Sequence, residues 1–323
     1  MKESLEKICD DFLSAQKTIA SVQPLLTMFA YPICAELFVE KGVKPDKRTL
    51  KKCDKLLIKK AGLFNEFSGL CAMLTISILS LSVNPKEKYD QIERARALIK
   101  QNFKVLPDHA VLASLVLAED IDEDAWQETV EKATAIYNAL NVKGRILTNG
   151  SDLVLSLLLA KTDKDVEKII SDAEKCKGEL QKYKFSATST KALSRILAIN
   201  TGSSHYKCDR FEKLYSTLLD HGIKYGQDYQ LPMLGLASLI PESVEDIARD
   251  IVAIDAYLAT KDPYAGLAPK YSSKVRLMHA AMLLVGAYNL NSESADNPDD
   301  KLNYDIYIAM ELGIWTLLDM LFI

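Results

Sequence analysis

The sequence predicts an all-α protein, an α-solenoid-like array of antiparallel helix pairs repeating about every 40 residues. Three observations predict it. A short apolar run recurs as Leu115-Val116-Leu117-Ala118, Leu157-Leu158-Leu159-Ala160, Arg195-Ile196-Leu197-Ala198 and, less well kept, Gly235-Leu236-Ala237-Ser238, in steps of 42, 38 and 40 residues. Second amphipathic stretches follow these runs and align at Tyr137, Cys176, Tyr215 and Asp255, in steps of 39, 39 and 40. The chain is poor in Gly (13) and Pro (10) but plentiful in Ala, Leu and Lys, which favours helix over sheet. Two registers with one period point to stacked helix pairs, because a single pair cannot bury its apolar face alone.

Residues 1–65 read as an N-terminal helical segment outside the repeat. Leu5, Ile8, Cys9 and Phe12 keep helical spacing, and a second helix runs from near Pro24 toward Val39. Gly42 to Pro45 is a turn, and a third helix over about 47–64 places Leu50, Cys53, Leu57 and Ala61 on one face. The repeat array follows over 66–290. Its helix pairs are 70–81 with 89–103, 109–118 with 126–140, 153–160 with 166–183, 191–199 with 211–221, and 231–240 with 244–259. The fourth pair has a longer turn through Gly202 and His205. Helices over 273–290 and 304–322 cap the stack. The polar, acidic stretch 291–301 between them makes residues 291–323 a surface loop and capping helix. The whole reads as one continuous domain. Asp108, Asp152, Thr190, Asp228 and Ser272 or Ser273 stand where first helices need N-caps, whose oxygens accept from free backbone N–H groups.

A net charge of −4 argues against a chain built throughout for nucleic acid. Six scattered cysteines (Cys9, Cys34, Cys53, Cys71, Cys176, Cys208) read as reduced thiols acting as small hydrophobes, as expected in a cytoplasmic protein. The charged, helical start is not a signal peptide. The apolar run 70–83 is too short to span a bilayer, and 306–323 is interrupted by Glu311 and Asp319. No membrane span is expected.

Few residues carry a chemical signal. Asp120, Asp122, Asp124 and Glu131 match the ligand spacing of a calcium loop. Ala125 stands where that loop needs Gly, and a helix from Trp126 would carry Glu131 away, so an acidic helix start is the expectation. His205 and Cys208 lie three apart without the second pair a structural zinc site needs. Nucleophile elbow, P-loop, dinucleotide-binding glycines and H-E-x-x-H are all absent, and no cofactor is implied. Residues 41–60 hold nine basic residues against Asp46 and Asp54. Lys47, Arg48, Lys51, Lys52 and Lys55 lead this run, which suits an anionic ligand or acidic partner. A solvated outer face is the commoner outcome for such a helix, and the run has no aromatic residue to stack on bases. The aromatics Tyr137, Tyr183, Phe185, Tyr215, Tyr225, Tyr229, Tyr257 and Tyr264 gather near the ends of second helices, and packing between repeats is their expected role.

The order of phrases from Ala110 to Val285 carries a resemblance. They are Leu112-Ala113-Ser114-Leu115-Val116-Leu117-Ala118, Leu147-Thr148-Asn149-Gly150-Ser151-Asp152, Leu193-Ser194-Arg195-Ile196-Leu197-Ala198, Leu234-Gly235-Leu236-Ala237 and Arg276-Leu277-Met278-His279-Ala280-Ala281. Together they resemble a bacterial family catalogued as domain of unknown function 4003. The resemblance implies a helical protein of a bacterial cytoplasm and brings no activity, so no catalytic or ligand residue carries over. The leading expectation is a scaffolding module that holds a protein or peptide on a long concave surface. One alternative is an enzyme whose pocket gathers Asn149, Asp152, Asp228, Tyr229 and Tyr264 from equivalent inter-repeat turns. The other is anion binding through the basic helix 47–60.

Overall fold

The structure is a computed structural model that describes residues 1–23, 30–62, 67, 69–140, 150–162, 164–199, 202–266 and 268–292. Among the described residues the regular structure is helical, with no strand. The helices are α1 (Glu3–Ala20), α2 (Ala30–Glu40), α3 (Lys47–Ala61), α4 (Gly69–Leu81), α5 (Pro85–Asn102), α6 (Pro107–Asp120) and α7 (Trp126–Leu140). They continue as α8 (Gly150–Ala160), α9 (Val166–Leu180), α10 (Ala187–Ile199), α11 (Ser204–Asp220), α12 (Leu231–Ser238), α13 (Val244–Ala259) and α14 (Ser273–Ser292). The expected capping helix over 304–322, and the acidic loop beyond residue 292, lie outside the described residues.

The chain forms two compact units. An N-terminal unit holds Ala15–Phe38 and Val43–Ile170; a C-terminal unit holds Met1–Ser14, Val39–Gly42 and the chain from Ser171 onward. In the N-terminal unit α4, α6 and α8 pack in one row and α3, α5 and α7 in another, with α3 on α4, α5 on α6 and α7 on α8. In the C-terminal unit α10, α12 and α14 form one row, α11 and α13 the other, with α11 on α12 and α13 on α14.

The two kinds of row differ in chemistry. Helices α4, α6, α8 and α12 are apolar on nearly every side and are buried almost residue for residue, whereas α10 is buried from Leu193 to Ile199 but carries Lys191 and Arg195. Their buried hydroxyls are satisfied at home: Ser77 Oγ donates to Met73 O, Ser114 to Val111 O, Ser156 to Asp152 O and Ser238 to Gly235 O, each at 2.6–2.9 Å. Such back-bonding consumes the polar groups of a buried helix without any outside partner. Helices α5, α7, α11 and α13 are amphipathic, with one apolar stripe inward.

An apolar helix has no room in its last turn for the cation that would meet its free carbonyls, and α6, α8 and α12 carry none there. The neighbouring amphipathic helix supplies it. Lys88 Nζ of α5 donates to Ala118 O at 2.9 Å and pairs with Glu119 at 2.7 Å. Lys132 Nζ of α7 donates to Thr162 O at 2.5 Å. Arg210 of α11 donates to Ser238 O, Ile240 O and Glu242 O at 2.7, 2.6 and 2.8 Å. The same device thus closes three helices that share the Leu-Ala phrase or its variant.

The expected N-caps need correction. α6 begins at Pro107 with Leu106 before it and no side-chain cap; Asp108 lies inside its first turn. Asp152 likewise lies inside the first turn of α8. Ser186, not Thr190, accepts from Ser189 N at the start of α10, and Gln230, not Asp228, precedes α12. Ser272 does cap α14, accepting from Val275 N at 3.3 Å. Proline at the first turn explains α6 and α12, since its fixed φ starts a helix without a cap and it has no N–H to satisfy. Side-chain caps instead open amphipathic helices: Asp46, Asn84, Ser203 and Ser243 accept from Thr49, Glu87, Tyr206 and Asp246 N–H groups. Two boundaries also move. α11 starts at Ser204, so His205 to Cys208 lies on a helix and not in a long turn. α3 stops at Ala61 because Gly62 takes φ +85°.

Candidate functional site

Helix α3 has a strongly cationic surface among the described residues. Its N-terminus is fixed by Asp46, whose carboxylate accepts from the Thr49 N–H and hydroxyl, each at 2.8 Å. Those two bonds hold the Asp46 carboxyl below its usual range. Leu50, Cys53 and Leu57 are buried on the side facing α4. At the ideal advance of about 100° per residue, Arg48, Lys51, Lys52, Lys55 and Lys59 share an arc of about 100° on the far side, spread over roughly 16 Å of axis. All five are exposed, and no acid of α3 interrupts the arc. Asp54, the one acid of the helix, sits toward the buried side and accepts from Gln23 Nε2 at 2.8 Å. Lys60, at the edge, pairs with Asp90 at 2.8 Å and lies 5.7 Å from the centre of the Tyr89 ring. Ile58 borders the cations and is 44% exposed, and Val43 in the preceding turn is 49% exposed. The result is a rigid cationic stripe with two apolar side chains at its margin.

The remaining expected site residues go elsewhere. Asn149 lies outside the described residues. Asp152 is buried in the N-terminal unit. In the C-terminal unit Asp228 is exposed, whereas Tyr229 and Tyr264 are buried. The Tyr264 hydroxyl and His279 Nδ1 share a hydrogen bond of 2.7 Å, and the Tyr264 ring lies 5.0 Å from that of Tyr271. His279 meets the rings of Tyr264, Tyr271 and Phe12 edge to face, and burial holds its pKa down to about 3. Tyr264 is therefore part of a neutral aromatic core cluster. The other aromatics pack likewise: Phe185 stacks on Tyr183 and meets Phe211 and Tyr215, and Tyr137 meets Phe103.

The acidic turn is built as a helix start. A single 3-10 turn at Glu123–Ala125 leads into α7, Glu123 takes both nitrogens of an Arg94 fork at 2.7 and 2.8 Å, and Glu131 accepts from Gln127 one turn away. His205 is exposed and 3.1 Å from Glu179.

Sequence reasoning missed a buried polar cluster between α9 and α11. Lys207 and Asp172, both about 1% exposed, lie 4.0 Å apart, and Cys176 and Cys208 lie beside them. The only signal was a lysine on the apolar side of the α11 pattern, hidden once residues 202–210 were read as turn.

Among the described residues the protein is all-helical, and α3 presents a cationic face. The chain belongs to the family described as Protein of unknown function (DUF4003), whose model matches residues 28–311. That match reaches beyond the phrases of 110–285 and takes in α2 and α3. No curated protein and no solved structure matches the chain. No helix among the described residues is long and apolar enough to cross a membrane.

Proposed function

We propose that the protein is a binding module that recognises an acidic stretch of a partner protein through the cationic face of α3. The observation that carries this reading is the arc of Arg48, Lys51, Lys52, Lys55 and Lys59, concentrated on one exposed helix face of a chain whose net charge is −4. Opposed charge on such a face speeds encounter and selects the partner. Ile58 and Val43 at its margin suit an apolar side chain in the same partner segment. The face lacks the stacking aromatics of a nucleic-acid groove. Its own apolar stripe is turned inward onto α4, which leaves no apolar face to enter a lipid surface.

The helix pairs are read as one α-solenoid-like array. The 40-residue recurrence of the Leu-Ala phrase and the cations that close α6, α8 and α12 support that reading. Burial of α4, α6, α8 and α12 on nearly every side supports a binding surface on the amphipathic helices.

The test is a titration of the protein against three probes: a fluorescent Glu/Asp-rich peptide containing one leucine, a single-stranded DNA oligomer, and vesicles containing phosphatidylserine. The expected result is binding of the peptide that weakens at least about tenfold between 50 and 200 mM salt, as several released counterions require. Binding of DNA or vesicles with no binding of the peptide overturns the proposal.

A further inference from the structure

Cys176 and Cys208 sit on different helices, 32 residues apart in sequence, and meet inside the C-terminal unit. The contact is reciprocal. The Cys208 thiol donates to the backbone carbonyl of Cys176, with Sγ 3.9 Å from that oxygen. The Cys176 thiol reaches across to Ser204 O, 4.0 Å away, in the first turn of α11. Each sulfur thus lies against the other helix's backbone at or within one turn of the other cysteine, which needs close approach of α9 and α11. Ser204, a small residue at the contact, lies with its hydroxyl 3.4 Å from Asp172 O.

The surroundings treat the two sulfurs unequally. The Cys208 thiol, the Ser204 side chain and the Lys207 ammonium favour a thiolate on Cys176 against its burial and the Asp172 carboxylate, and its pKa falls below the usual thiol value. Cys208, the donor of the pair, is pushed up. Three other buried thiols go the same way as Cys208: burial raises Cys34 to about 12 and raises Cys53 and Cys71 as well. Cys176 therefore stands apart as a nucleophile with a second thiol in reach. Cys176 is fully buried and Cys208 is 4% exposed, so only a small oxidant suits the pair.

We infer that Cys176 and Cys208 form a reversible redox site that is oxidised to a disulfide by a small peroxide. The Cys176 thiolate attacks a peroxide oxygen; an S–O bond forms, the O–O bond breaks, and the leaving hydroxide takes a proton from water's pool to depart as water. The Cys208 thiol then attacks the sulfenic sulfur; the S–S bond forms, the S–O bond breaks, and the departing hydroxide leaves as water with the Cys208 proton. Overall two thiols and one hydrogen peroxide give one disulfide and two waters.

The experiment treats the folded, reduced protein with hydrogen peroxide, blocks remaining thiols in denaturant, and maps peptides without reduction. The expected product is a Cys176–Cys208 disulfide, reversed by dithiothreitol, forming at least about tenfold faster than oxidation at Cys9, Cys34, Cys53 or Cys71, as thiolate control of reactivity requires. Cys208→Ser should trap the sulfenic acid on Cys176 for a dimedone label, and Cys176→Ser should abolish both products. Uniform slow oxidation of all six thiols, a mixed disulfide elsewhere, or direct passage of Cys176 to sulfinic acid with Cys208 intact overturns the inference. If either serine variant is misfolded by circular dichroism, the wild-type peptide map alone decides.

Discussion

Helices α3 and α6 belong to the same unit, differ by one residue in length and have opposite surfaces. α6 buries every side chain from His109 to Ala118, bonds its serine to its own backbone and takes the cation for its last carbonyls from Lys88. α3 buries Leu50, Cys53 and Leu57 and turns its cations outward. The difference teaches where function can lie. A helix whose surface is consumed by packing has nothing left to offer a partner. A helix that spends one stripe on packing can present the rest.

The largest expected difference is in stability. Leu117→Ala in α6 should cost about 2–5 kcal/mol, because the surrounding side chains collapse only partly into the gap. Lys55→Ala on α3 should change stability by less than about 0.5 kcal/mol. Urea unfolding of both variants checks this, and equal losses would break the contrast.

Acid should find α6 before α3. His109 is buried in α6, and burial lowers its pKa from 6.5 to about 4. Above pH 6.5 both folded and unfolded chains hold it neutral. As pH falls from 6.5 toward 4 the unfolded chain takes up a proton that the folded chain refuses, so stability drops, by up to about 3 kcal/mol at roughly 1.4 kcal/mol per unit. His109→Gln should flatten that part of the pH–stability curve. An unchanged slope would assign the acid sensitivity to other groups.

A smaller effect probes the cation that α5 lends to α6. Lys88→Met should cost about 1–2 kcal/mol through the freed Ala118 carbonyl and the unpaired, half-buried Glu119. Thermal unfolding reads it, and a shift no larger than that of Lys55→Ala would remove the capping role.

Much of the fold was legible because its signal is local. The apolar run of α6 and the spacing of Leu50, Cys53 and Leu57 in α3 each announce a helix and its buried side. The N-caps were misread at Asp108, Asp152, Thr190 and Asp228 because an acid or hydroxyl near a helix start resembles a cap. Pro107 and Pro232 made caps needless, and Ser186 stood earlier than expected. The start of α11 was hidden because Gly202 and His205 read as a longer turn, whereas Ser203 caps a helix from Ser204 that carries Lys207 onto Asp172. The cationic face of α3 was visible as charge, but not the inward turn of Asp54 toward Gln23 that leaves the arc uninterrupted. One long-range signal went unread: Lys88 to Ala118, Lys132 to Thr162 and Arg210 to Ile240 are each 30 residues apart. The Cys176–Cys208 meeting leaves no such trace, because it depends on how α9 lies against α11.

The most direct test sets α3 against α6 in one binding measurement. Fluorescence anisotropy of the acidic, leucine-containing peptide is recorded with the wild-type protein, with the Arg48→Glu/Lys52→Glu/Lys55→Glu variant, and with Leu117→Ala at a temperature where that variant is folded. Recognition through the α3 face predicts loss of affinity by at least about a hundredfold in the charge-reversed protein, roughly 1 kcal/mol or more per reversed charge, and wild-type affinity in Leu117→Ala. Unchanged binding by the charge-reversed protein, or equal loss in both variants, would contradict it.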